Sequence, residues 1–113
     1  MKQIYELHAE ICKTLANPIR IEIINILRNN EMAAGELLAK LKIRKSNLSQ
    51  HLALMRAKGI VKARRDGINI FYRISNLKVI KACDIMRQVL IEHLSEVSKA
   101  TNKWSRQNNE SKR

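Results

Sequence analysis

The run Arg44-Lys45-Ser46-Asn47, followed by Ser49-Gln50, carries the groups in this sequence best suited to recognising another molecule. Asn and Gln side chains can pair bidentately with an adenine edge, and serine hydroxyls suit bases or phosphates. Arg44 and Lys45 can meet phosphate oxygens. Leu48, Leu52 and Met55 are interleaved at helical spacing, which predicts a helix over about 45–58 with that seam inward and the polar groups outward. Gly59 is a suitable stop. A helix starting near Lys45 also points its first amides at any anion it meets. The chemistry implied is non-covalent reading of double-stranded DNA through the major groove.

The charge balance points the same way. Lys and Arg number 22 against 10 Asp and Glu, a net charge of +12, which calls for an anionic partner. The excess is clustered: Lys40 to Arg65 contains nine basic residues and no acidic one. Catalysis is poorly provided for, with no phosphate-binding glycine loop, no paired carboxylates in a plausible cleft and only three histidines. A protein-docking module would favour an aromatic and apolar centre over serines and Gln50. Cys12 and Cys83 form no CxxC and follow no secretory signal, so a cytoplasmic chain with reduced thiols is expected. No apolar run is long enough for a membrane span.

The elements that must position the polar helix follow from periodicity. Ile4, Leu7, Ile11 and Leu15 predict an amphipathic helix over 3–16. Asn17-Pro18 ends it and starts the next, which carries Ile19, Ile23, Ile26 and Leu27 and fades at Asn29-Asn30. A short helix from Ala34 to Leu41 and a turn at 42–44 lead into the polar helix. Helix, tight turn and polar helix together make a helix-turn-helix.

After Gly59 the period becomes alternating. Residues 60–65 and 68–74 flank Asp66-Gly67, a strong two-residue hairpin signal. Pairing Arg65 with Ile68 places Val61 opposite Tyr72 and Ala63 opposite Ile70 on one face. Lys62, Arg64 and Asn69 then point away, and Arg65 sits beside the tip. This hairpin is a wing whose cations can reach phosphates or the flanking minor groove. Ser75 or Asn76 can cap a last helix running to about Ser98, striped by Leu77, Ile80, Cys83, Met86, Leu90, Leu94 and Val97. The expected organisation is one winged helix-turn-helix domain over 1–98, mainly α in the order α-α-α-α-β-β-α, and a flexible basic tail over 99–113.

The segment Lys13-Thr-Leu-Ala-Asn-Pro-Ile-Arg20, continued by Ile21-Glu-Ile-Ile-Asn-Ile-Leu27, resembles the opening of ArsR/SmtB-type repressors. Lys45-Ser-Asn-Leu-Ser-Gln-His-Leu-Ala-Leu-Met55, then Gly59-Ile-Val61, is similar to that family's recognition helix. Gly67 with Phe71-Tyr72-Arg73 is similar to its wing. The resemblance covers about residues 4 to 97. It implies a homodimeric repressor whose first and last helices form the dimer interface, whose paired recognition helices address an inverted-repeat operator, and which needs no cofactor to bind DNA.

The resemblance also implies release by a metal, a metalloid or a redox signal, through sensing sites that differ between family members. The cysteine box of the third helix is absent from Ala34 to Lys40. The zinc or nickel site of the last helix keeps Asp84, but Met86, Val97 and Ala100 occupy the other ligand positions, and His93 and Glu96 are displaced from them. The redox cysteine pair would fall near Asn25 and Ile91. What is left is His8 and Cys12, four residues apart on one helix face, and Cys83. If the first helix of one subunit lies near the last helix of the other, these three could converge with Asp84 beside them. Packing roles for both cysteines, a thiol-redox sensor, a metal or metalloid site, and a DNA-binding protein with no working sensor are all compatible with the residues.

Overall fold

A computed structural model describes residues 1–111. The elements are α1 (Lys2–Leu15), α2 (Pro18–Ile26), β1 (Met32–Ala33), α3 (Ala34–Leu41), α4 (Lys45–Ala57), β2 (Val61–Asp66), β3 (Asn69–Ile74) and α5 (Lys78–Ser111). Two compact units divide at Ile80 and Lys81, the first holding everything up to the start of α5 and the second the rest of that helix.

Local chemistry explains the boundaries in the first unit. Asn17 caps α2, its Oδ1 accepting from the amides of Ile19 and Arg20 at 2.9 and 3.2 Å, with Pro18 in the first turn. The turn into α4 is made by Lys42 at φ 55°, in the left-handed region. At the far end of α4, the amides of Gly59 and Ile60 bond to the carbonyls of Arg56 and Met55 at 3.0 and 2.9 Å. This is a Schellman stop, with Gly59 at φ 75° and the apolar pair Ile60 and Met55 beneath it. A Cβ at Gly59 would meet nothing within 4 Å, so Gly59→Ala is penalised by backbone conformation alone. We expect a loss of about 1–2 kcal/mol, visible as a lower thermal midpoint without loss of helical signal.

The core is drawn from α2, α3, α4, the wing and the first turn of α5: Ile23, Ile24, Leu27, Leu37, Leu41, Leu48, Leu52, Met55, Ile60, Val61, Ile74 and Ile80. The Leu48/Leu52/Met55 seam is buried as its spacing predicts. By contrast, α1 buries only Thr14 and leaves Ile4, Tyr5 and Leu7 exposed.

Three expectations are corrected. The sheet has three antiparallel strands in the order β1-β3-β2, where two were expected. Met32 pairs with Tyr72 and Ala33 with Phe71, a strand too short to show any period in sequence. The hairpin register is also different: Arg65 pairs with Ile70, Ala63 with Tyr72 and Val61 with Ile74. The turn residues are therefore Gly67-Ile68, not Asp66-Gly67, with the positive φ of 63° at Gly67, the first central position, as a II′ turn prefers. Because the slip is two residues, no side chain changes face.

The third correction concerns α5. The segment from Lys99, expected as a flexible tail, is helical to Ser111, so the helix runs 34 residues, about 51 Å. No Gly or Pro occurs after Gly67 to stop it. The last two residues of the expected tail lie outside the described residues. Within the second unit, Ile85, Met86, Val89, Leu90, Ile91, Leu94, Val97 and Trp104 are all exposed. No helix among the described residues is long and apolar enough to cross a membrane.

Candidate nucleic-acid interface

Helix α4 is seated by its buried seam, and the other residues from Lys45 to Gln50 face outward. Lys45, Ser46, Asn47, Ser49 and Gln50 are exposed, as is Arg44 at the N-cap. No side chain among the described residues caps this N-terminus, so its first amides and its dipole are open to an anion. The six side chains predicted for this face are thus brought together on one helix end.

Two elements brace the opposite flank. Lys58, at the C-cap of α4, pairs with Glu10 of α1 at 3.5 Å. Arg20 of α2 reaches His51 in the middle of α4, with Nη1 3.3 Å from Nδ1. Burial first, then the charge of Arg20, hold the His51 pKa below its ordinary value. Neither Arg20 nor His51 stands out by composition, and their pairing across 31 residues has no sequence signal.

On the wing, Lys62, Arg65 and Asn69 are exposed. Arg64 is otherwise engaged. Its Nε donates to both Glu31 carboxylate oxygens at 3.0 and 2.9 Å, and its Nη2 also donates to Oε1. The guanidinium lies 4.4 Å from the Phe71 ring centroid. Its bond draws the Glu31 pKa down. A guanidinium clamped in this way braces β1 to the hairpin and is a poor candidate for a mobile phosphate contact.

Two cations were overlooked in sequence. Arg73 stands directly opposite Lys62 on the outward wing face, a like-charge pair that an anion would relieve. Extending the alternation from Asn69 through Phe71 would have found it. Arg56 lines a groove of about 480 Å³ between α4 and the wing, together with Ser49, Leu52, Ala53, Ala57 and Tyr72.

The sensor candidates are divided between the two units. Cys12 and His8 are exposed on α1, in the first unit, and Cys83 is half-buried in the second. Both thiols are free, and among the described residues no three His, Cys, Asp or Glu side chains gather as a metal site. Burial raises the Cys83 pKa, an effect opposed by Arg87 and reinforced by Asp84. Asp84 itself accepts from Arg87 Nη2 at 2.7 Å.

A helix-turn-helix with a hairpin wing and a polar, cation-rich recognition helix defines a winged-helix DNA-binding protein. Residues 17–63 match the family described as bacterial regulatory protein, arsR family. Uncharacterized HTH-type transcriptional regulator Rv0081 of Mycobacterium tuberculosis is 40% identical over 82% of each chain. Its crystal structure superposes with a TM-score of 0.75, covering 82% of this chain and 94% of that one. A biofilm growth-associated repressor of Agrobacterium fabrum is 41% identical over 69% of this chain and 67% of its own. The solution structure of Mb0332 from Mycobacterium bovis, a homodimeric winged helix-turn-helix DNA-binding domain, is 28% identical with a TM-score of 0.74, covering 82% of this chain and 86% of that one. The chain belongs to the arsR family of bacterial regulatory proteins. It is a DNA-binding transcriptional regulator and not an enzyme.

Proposed function

We propose that this protein is a cytoplasmic repressor that binds an inverted-repeat operator as a homodimer through α1 and α5. The observation that carries the DNA reading is the exposed row Lys45, Ser46, Asn47, Ser49 and Gln50 on a helix anchored by buried Leu48, Leu52 and Met55. Dimerisation is supported by the uncovered apolar side chains of α1 and α5 and by the homodimeric relative. Half-sites about 34 Å apart follow from paired recognition helices. Repression is supported by the Agrobacterium relative.

Asn47 and Gln50 read bases in this scheme, with Ser46 and Ser49 on bases or phosphates. Arg44, Lys45, Lys62, Arg65, Asn69 and Arg73 hold the backbone, while Arg64 braces the wing. For release, Cys12 is the thiol open to an oxidant or soft metal, with His8 one turn away on the same helix. Cys83 and Asp84 would join that site only through a partner subunit. The raised pKa of Cys83 favours a second reading, a regulator that binds DNA with no thiol switch at that position.

The test is operator binding at graded salt. Affinity for the inverted repeat is expected to fall about 10³-fold or more between about 50 and 200 mM salt, as six or more phosphate contacts require. Gln50→Ala is expected to erase about 1–3 kcal/mol of discrimination at one base position per half-site. Salt-insensitive binding, or unchanged discrimination, contradicts the assignment. A reporter that rises with the protein, rather than falling, contradicts repression.

A further inference from the structure

Arg20 joins three helices through one guanidinium. Its Nε donates to the carbonyl of Thr14 near the end of α1 at 2.5 Å, while Nη1 meets His51 Nδ1 on α4. Its own amide is held by Asn17 at the start of α2. Thr14 is fixed in turn, being buried with Oγ1 donating to the Glu10 carbonyl at 2.9 Å.

The geometry has a consequence for protonation. A guanidinium donates and cannot accept, so the contact requires Nδ1 of His51 to be the acceptor. The neutral ring therefore carries its proton on Nε2. A second proton on the ring would turn the acceptor into a donor and set two cations side by side. From α2 the charge acting on the ring is Arg20. From α1, Glu10 is directed to Lys58, two turns further along α4. From β2, the strand packed on α4, the cations are Lys62, Arg64 and Arg65, all exposed, with Arg64 held by Glu31.

We propose that Arg20 and His51 form a proton-sensitive latch that positions the recognition helix against α1 and α2, closed while His51 is neutral and opened by its protonation. This rests on the reading of α4 as the recognition helix. Both residues are positioning residues; base and phosphate contacts belong to the exposed face.

The sign follows from the direction of the shift. The folded pKa lies below the ordinary 6.5, so the latch is complete above that value and is lost as pH falls through the folded one. Added positive charge on a DNA-binding protein by itself tightens its hold on DNA by simple electrostatics. The latch predicts the opposite: weakening in acid.

Operator binding is measured by fluorescence anisotropy from pH 5 to 8 at constant ionic strength, with helicity followed by circular dichroism. Wild type is expected to bind at least about fivefold more weakly at the acid end than at neutrality. His51→Gln keeps an acceptor for Arg20 and does not titrate, so its affinity should hold or rise in acid. Arg20→Ala should match the acid-weakened affinity already at neutrality and respond little to pH. A wild type that binds more tightly in acid, or an acid loss that survives in His51→Gln, overturns the latch.

A second readout works without DNA. ¹⁵N-detected NMR of the His51 ring should show the Nε2–H tautomer and titration below 6.5, shifting upward in Arg20→Ala. An Nδ1–H ring, or an unshifted titration in the variant, also overturns the latch. Absence of DNA binding by every protein at neutrality counts against the recognition-helix reading instead, and the ring titration still decides the latch.

Discussion

Met55→Ala is expected to cost about 2–5 kcal/mol of folding stability, the range for emptying a sealed core site. Met55 has no exposed surface, lies on the inner seam of α4, and its carbonyl accepts the amide of Ile60 in the stop that turns the chain into the wing. A domain of this size has about 5–15 kcal/mol in total, so the loss is a large share of it. The thermal midpoint should drop by roughly 8 °C or more. Met55→Leu conserves volume and should cost less than about 1.5 kcal/mol. Lys45→Ala offers the contrast. Its side chain is exposed, so stability should stay within about 0.5 kcal/mol of wild type while DNA affinity falls. Equal melting of the Met55→Ala and Met55→Leu proteins would mean that the seam is not what holds α4.

That separation of seam from reading face was legible in the sequence because one period sets both. Leu48, Leu52 and Met55 recur at helical spacing, so the polar residues between them had to face outward. Asn17-Pro18 was legible for a similar reason, since capping is a local chemistry written in adjacent residues. The hairpin was legible, but its turn was placed one residue early. Asp66-Gly67 fits one turn type by composition, while the structure uses Gly67 as the first central residue and keeps Asp66 in the strand, paired with Asn69.

Most of the features not legible depend on residues distant in sequence. Met32-Ala33 becomes a strand only because β3 is there to pair with it. Arg64 had the spacing of an outward wing cation, and the alternation was right. Glu31, brought in at the other edge of the sheet, changes what that cation does. The length of α5 was misjudged because a polar, basic segment was equated with fraying, although nothing in it breaks a helix. Arg20 and His51 are the plainest case: one sits three residues past a capping Asn, the other beside a core Leu, and only the packed fold joins them.

The combined change Leu90→Glu and Leu94→Glu is expected to dissociate the dimer and to weaken binding to the full operator by at least about 100-fold. Leu90 and Leu94 lie one turn apart on α5, in the unit that follows the core, and are 53% and 56% exposed in the single chain. The folded core of the first unit does not use them, so a monomer should still form its helix-turn-helix and wing. Carboxylates facing one another at an apolar dimer interface would be unpaired and desolvated, which that interface cannot tolerate. Joining two reading heads raises affinity about 10²–10⁴-fold by effective concentration alone, and that factor is what a monomer forfeits. The loss should therefore be confined to the inverted repeat. A duplex carrying one half-site should bind wild type and variant within a few-fold of each other, since Lys45 to Gln50 are untouched. Sedimentation velocity gives the oligomeric state, and anisotropy on the two duplexes gives the affinities. A variant that remains dimeric, or that loses half-site and full-site binding equally, would remove α5 from the dimer interface and place its exposed leucines in some other role.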